Sequence, residues 1–266
     1  MIRALALAMA AGLVLFAACN GSGGDEDSDA TAQATAQATP QATAVATPPW
    51  AGQQGELKGR LGEMVLAKED LPGSLSWLDP VENPPEVLKP IIAPERDPLT
   101  MVGLPWRPGS SGPLRDSSWE ASAFAGSEGN VWLWSFVTLP ADLDSLSAVR
   151  RAMIEANRLD VAELRLDLWE SLTKEDLGLR PEAVRIGGAK GLGEARFSYG
   201  FSLHGNVESE EIYQVQGYAF TRGPVFAVLM VVCKPGTLGK DDGIYLALTL
   251  DGKVQETLKA AGLPEA

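Results

Sequence analysis

The sequence predicts an α+β domain: a mainly antiparallel sheet of about five strands with helices packed on it, in the order β-β-α-(α)-β-β-β-α. Three features lead there. Trp119 to Ala125 and Val131 to Leu139 are strand-like runs joined by Gly126-Ser127-Glu128-Gly129-Asn130, the residues of a hairpin turn. Residues 195–233 hold three further strand-like runs joined by short connections, which demand antiparallel neighbours. Each group of strands is followed by apolar residues at helical spacing, able to cover a sheet face.

The elements follow in order. In the second strand of the hairpin, Val131, Leu133 and Val137 lie on one face, and Trp132, Trp134 and Phe136 on the other. A strand apolar on both sides has to be covered on both sides. A helix comes next, capped by Asp142 or Asp144, with Leu143, Leu146, Val149 and Met153 on one face. A second helical stretch carries Val161, Leu164, Leu168 and Leu172, and Gly178 with Pro181 is expected to end it. Ala195, Phe197, Tyr199, Phe201 and Leu203 alternate with Arg196, Ser198, Gly200, Ser202 and His204, a half-buried strand with one wet face. Ile212 to Thr221 forms the next strand. Val225 to Cys233 is apolar on both faces and therefore central. Asp241 or Asp242 caps the last helix, whose buried stripe is Ala247, Leu250, Val254 and Leu258.

Upstream of the sheet the composition changes twice. Residues 79–113 are dense in proline, which excludes helix interiors and central strands, yet they carry Ile91, Ile92, Leu99, Met101, Val102, Leu104 and Trp106. That mixture predicts an extended arm over 50–114 packed on a globular domain at 115–266. Residues 19–49 are small and polar, with the acidic run Asp25-Glu26-Asp27-Ser28-Asp29 and Ala-Thr-Ala-Gln repetition. Such a segment buries too little apolar surface to offset its ordering entropy. As a flexible linker it spans ~30 Å end to end. Its alternating aspartates do not make a calcium loop, because Ala30 replaces the turn glycine and Ala36 the closing glutamate.

At the N-terminus, Met1-Ile2-Arg3 precedes the apolar run Ala4 to Ala18, which closes on Leu15-Phe16-Ala17-Ala18-Cys19. These are the three regions of a secretory signal, too short for a bilayer span. The run resembles a bacterial lipoprotein signal of the lipobox type. One position departs from that family, Phe16, where Leu, Val or Ile is usual. The resemblance implies a signal peptide at 1–18, cleavage before Cys19 and acylation of the Cys19 thiol. It further implies a lipid-anchored location at the cell membrane, on the extracytoplasmic face. The order of elements over about residues 115–262 loosely resembles the PsbP-like sandwich, as in LpqN-type lipoproteins. That resemblance implies extracytoplasmic binding or accessory roles. Glu69-Asp70-Leu71-Pro72-Gly73 and Leu246 to Leu258 are similar to segments of other bacterial lipoproteins.

The charge balance narrows the partners. The chain has a net charge of −13, which opposes nucleic acid and anionic surfaces. Arg150-Arg151 is an isolated basic pair. With Cys19 acylated, Cys233 has no partner within the chain and is read as a buried thiol. The run Gly187-Gly188-Ala189-Lys190-Gly191-Leu192-Gly193 lacks the spacing of a phosphate loop, carries Arg196 at the third dinucleotide-fingerprint glycine, and leads into a strand. It reads as a turn. His204 is the sole histidine, so no multi-histidine zinc site exists. It is expected in a solvated turn beside Gly205-Asn206. Trp132, Trp134 and Phe136 are expected in the core rather than in a sugar site. Glu208, Glu210 and Glu211 flank a strand start, and spacing alone makes no glycosidase pair of them.

No catalytic residue, cofactor or metal ion is therefore expected, and Cys19 is the one assigned site. The functional expectation is a monomeric, membrane-tethered extracytoplasmic lipoprotein with a non-enzymatic binding or accessory domain. Its partners are the membrane, through the N-terminal lipid, and a protein or small molecule of unknown identity. Two alternatives stand beside it. One is an extracytoplasmic hydrolase whose residues converge only in the fold. The other is an envelope assembly protein acting through the proline-rich arm.

Overall fold

A computed structural model of the chain describes residues 50, 52–82, 114, 116–126, 129–162, 165, 179–187, 189–205, 211–239 and 241–263. All of them belong to one unit, Ala46–Ala266. Cys19, the leader, the linker, most of the expected second helix, Glu208, Glu210 and the bulk of the proline-rich arm lie outside the described residues.

The architecture is α+β. A seven-stranded antiparallel sheet has the order β1-β2-β3-β7-β6-β5-β4. The strands are β1 (Asp79–Pro80), β2 (Ser118–Ala125), β3 (Val131–Leu139), β4 (Leu179–Gly187), β5 (Arg196–Gly205), β6 (Glu211–Arg222) and β7 (Val225–Cys233). The described helices are α1 (Gln54–Gly59), α2 (Leu61–Met64), α3 (Leu143–Ala156) and α4 (Asp242–Ala260). The five expected strands are present, and two more extend the sheet at its margins. β1 is a two-residue strip against Ala125 and Phe124. β4 was expected as the end of a helix. Pro181 instead sits in an edge strand, where a missing N–H is tolerated. A register shift between Glu182 and Arg185 accommodates Ala183, whose φ is 50°.

β3 and β7 lie side by side near the middle of the sheet, and every residue of both is buried. On one face, Leu133, Leu229 and Val231 pack beneath α1, α2 and α4. The α4 stripe is Leu246, Ala247, Leu250, Val254 and Leu258, and the helix lies over β6 and β7. On the other face, Trp132, Trp134, Phe136, Phe226 and Met230 join Val149 and Met153 of α3. The Asp142 carboxylate caps α3 by accepting from the Ser145 N–H at 2.7 Å, and this bond holds its pKa below the usual carboxylate value. Leu143 is exposed rather than on the buried face; Ala152 and Ala156 complete that face.

Residues 54–78 are built into the first core rather than extended along it. Leu57, Leu61, Met64, Leu66, Leu75 and Leu78 are almost fully buried. Polar contacts fix their register. Leu66 N–H donates to Ser135 Oγ at 3.1 Å, Ser122 Oγ donates to Leu66 O at 2.6 Å, and the two hydroxyls are 2.7 Å apart. Asp70 accepts from Ala67 N–H and from Lys253 Nζ of α4, both at 2.6 Å. The segment Glu69 to Gly73 thus meets the last helix directly.

Candidate functional site

The helices on the first face lie over β2, β3, β6 and β7. At the other end of that face the register aligns polar residues in rows. Gly187, Ser198 and Tyr218 form one row; Arg185, Gly200 and Gln216 the next; Glu182, Ser202 and Gln214 a third; and Arg180 stands opposite His204. Opposing residues of an antiparallel pair share a face. The wet face expected for the Ala195–Leu203 strand is therefore extended by both neighbours into a polar platform. Ser198, Ser202, Gln214 and Gln216 are all partly exposed.

His204 is not in a solvated turn. It lies within β5, its side chain 14% exposed, because β5 runs on to Gly205 and β4 flanks it. Glu182 is central to this corner. Its carboxylate is 3.1 Å from Arg180 Nε, an ion-pair contact without hydrogen-bond alignment, and 3.8 Å from His204 Nε2.

The platform is bounded by the start of α4. Gly243 comes so close to β6 that an added Cβ would lie 2.2 Å from Gln216 Oε1 and 3.0 Å from Tyr218 Oη. Tyr218 donates to Gln216 Oε1 at 3.1 Å. Burial raises the Tyr218 pKa, and the nearby Asp241 charge raises it further. The phenol thus stays protonated and serves as a fixed donor. A base would need the opposite shift.

A second charged cluster closes the far end of the sheet, and its role is structural. Arg222 grips Asp251 of α4 with two bonds, Nε to Oδ1 at 2.9 Å and Nη2 to Oδ2 at 2.5 Å. Asp251 Oδ2 also accepts from Gly193 N–H at 3.1 Å. Arg150 of α3 pairs with Glu194 and donates to Gly223 O at 3.0 Å. Glu194 in turn accepts from Gly223 N–H at 2.7 Å. Residues 189–193 of the glycine-rich run are thus a turn pinned to α4. Gly193 has φ 28°, and a Cβ on it would meet Thr221 O at 2.3 Å, so the chain needs glycine there.

Trp132, Trp134 and Phe136 are 1–4% exposed and belong to the core, as expected. Cys233 is a buried thiol at the end of β7. Among the described residues, no group of three His, Cys, Asp or Glu could hold a metal ion. No described helix is long and apolar enough to cross a membrane.

The sequence expectation missed Arg180, Glu182 and Asp251. Asp251 left a signal: it stands four residues after Ala247 and seven before Leu258, on the stripe expected to be buried. Arg180 and Glu182 left none, because β4 itself went unread.

No family model matches the chain, and no curated protein matches it. Among solved structures it is similar to the extracellular domain of PknH from Mycobacterium tuberculosis. The identity is 11% and the TM-score 0.42, over 75% of this chain and 96% of that one. A likeness this loose assigns neither family nor function, and the PsbP-like resemblance rests on element order alone.

Proposed function

We propose that this protein is a lipid-anchored extracytoplasmic binding protein, and that the platform on β4, β5 and β6 is its ligand-facing surface. The observation behind the binding reading is the platform itself. It gathers Arg180, Ser198, Ser202, Gln214 and Gln216 on one stretch of one sheet face. Ser198 Oγ is held by donation to Gly187 O, and the partly exposed amides and guanidinium beside it present directional polar groups, which suits recognition of a polar surface or ligand. Tyr218, held in its neutral form and donating to Gln216 Oε1, orders the platform and is unsuited to proton abstraction. The anchor rests on Leu15 to Cys19. Two or more acyl chains give stable attachment where a single chain is marginal.

Two measurements test this. Intact-mass analysis of the membrane fraction is expected to show loss of residues 1–18 and a gain of lipid mass on Cys19, with Cys19→Ser abolishing the lipid. A mature N-terminus elsewhere, without lipid, refutes the anchor. For the platform, chemical cross-linking and pull-down from detergent-solubilised native membranes are compared for the wild type and R180A/Q214A. Selective loss of captured species in the variant supports the platform; identical capture by both proteins refutes it.

A further inference from the structure

We propose that the outer edge of β2, over Ser118–Ser122, accepts an extended basic peptide segment of a partner protein as an added strand. This surface is separate from the platform and does not depend on it.

β1 covers only one end of β2, through Asp79 with Ala125 and Pro80 with Phe124, followed by Val81 N–H donating to Ala123 O at 3.0 Å. Among the described residues the remainder of β2 is the sheet margin. Backbone groups on an antiparallel strand alternate between its two neighbours. Since the Ala123 carbonyl points toward β1, the N–H and C=O groups of Ala121 and Trp119 point the same way. No described residue pairs with them. The opposite margin is built differently: β4 carries Pro181 and the bulge at Ala183, two features that block strand addition. β2 has neither.

An anchor stands beside this edge. Trp119 is 51% exposed, yet its ring is held against Phe136 at a centroid distance of 5.8 Å, and Phe136 stacks on Trp134 at 5.2 Å. The exposed aromatic surface is therefore preorganised, with the small Ala121 next to it on the same face. The exposed Glu120 points to the other face.

These residues also select the occupant. A second copy is a poor fit in each symmetric register. Centred on Glu120, the two carboxylates face each other directly, which is unfavourable. Centred on Ala121, Trp119 meets Ala123, whose carbonyl Val81 already occupies. Centred on Trp119, Ala121 meets Ser117, whose N–H is spent on Leu114 O at 3.1 Å. A segment with a basic residue across from Glu120, and apolar residues across from Trp119 and Ala121, satisfies every position. The net charge of −13 draws such a segment in.

The test uses the full-length protein in detergent with two synthetic heptapeptides, one alternating valine and lysine, the other valine and glutamate. Amide NMR shifts and tryptophan fluorescence report binding, and sedimentation reports association state. The lysine peptide is expected to shift the Trp119 and Ala121 amides and slow their exchange. Glu120→Lys is expected to weaken it roughly ten-fold while strengthening the glutamate peptide. Ala121→Pro, which removes the edge donor, is expected to abolish both. If that variant loses its native spectrum, Trp119→Thr takes its place, with weakened binding expected. Shifts mapping away from β2, lysine-peptide binding unchanged in Glu120→Lys, or dimers forming through β2 without peptide would overturn the proposal.

Discussion

Removing Asp251 tests the clamp at the end of the sheet. The Asp251 side chain is 6% exposed and that of Arg222 14%, so both charges are largely out of water. In Asp251→Ala the guanidinium loses both of its carboxylate bonds but stays between α4 and the hairpin, and Gly193 N–H loses its acceptor. Breaking one side of a buried pair costs up to about 3–5 kcal/mol, and the Glu194 charge, which also acts on Arg222, places the expected loss toward the lower end of that range. The contrast is the double replacement R222M/D251L, which removes both charges at similar volume. Such replacements are often neutral or stabilising, so it is expected to recover most of the loss. Urea is the denaturant of choice, since guanidinium salts screen the interaction under test. The readout is the shift in midpoint at constant slope, followed by tryptophan fluorescence. An Asp251→Ala loss below about 1 kcal/mol, or a double variant as unstable as the single one, would refute the account of a buried, mutually dependent pair.

Three further outcomes follow from the packing and capping. Leu229→Ala, at a fully buried position in β7, is expected to cost about 2–5 kcal/mol, against about 0.5–1.5 kcal/mol for Ser198→Ala on the polar face; equal losses in urea titrations would mean the layering is wrong. Gly217→Ala places a Cβ 2.2 Å from the Tyr199 ring and is expected to cost about 1–3 kcal/mol with a changed near-ultraviolet spectrum; an unaltered melt would show that the ring moves freely. Asp142 has a lowered pKa in the folded protein, so its capping contribution is present above the unfolded carboxylate value of about 4 and fades as pH falls through the folded value. The melting-temperature gap between the wild type and Asp142→Asn is therefore expected to close on acidification, and a gap independent of pH would remove the charge from the explanation.

The sheet's centre was legible in the sequence because Val131 to Leu139 and Val225 to Cys233 are apolar on both faces, a pattern with few structural solutions. α4 was legible for a similar reason, its stripe repeating over the full 19 residues. β4 was hidden by Pro181, which argues against a strand unless the strand is known to be an edge, and edge position is a property of the whole sheet. The platform was half visible. Ser198 and Ser202 announced a wet face, but nothing local says that Gln214 and Glu182 stand on either side of Ser202. Ser122 and Ser135 show the same limit. Each is a hydroxyl on the face beneath the helices, and their reason is Leu66, a backbone group far away along the chain.

The bond between Asp70 and Lys253 joins residues 183 positions apart, and its consequence is one of timing. The core on that face joins leucines from Leu57 to Leu78 and from Leu246 to Leu263 to those of the sheet, among them Leu133 and Leu229. It cannot close until the last helix has left the ribosome. Contacts this distant slow folding, because loop entropy is spent before packing offsets it. Until both ends are present, Leu57 to Leu78 have no last helix to pack against, and that face of the sheet stays exposed to water.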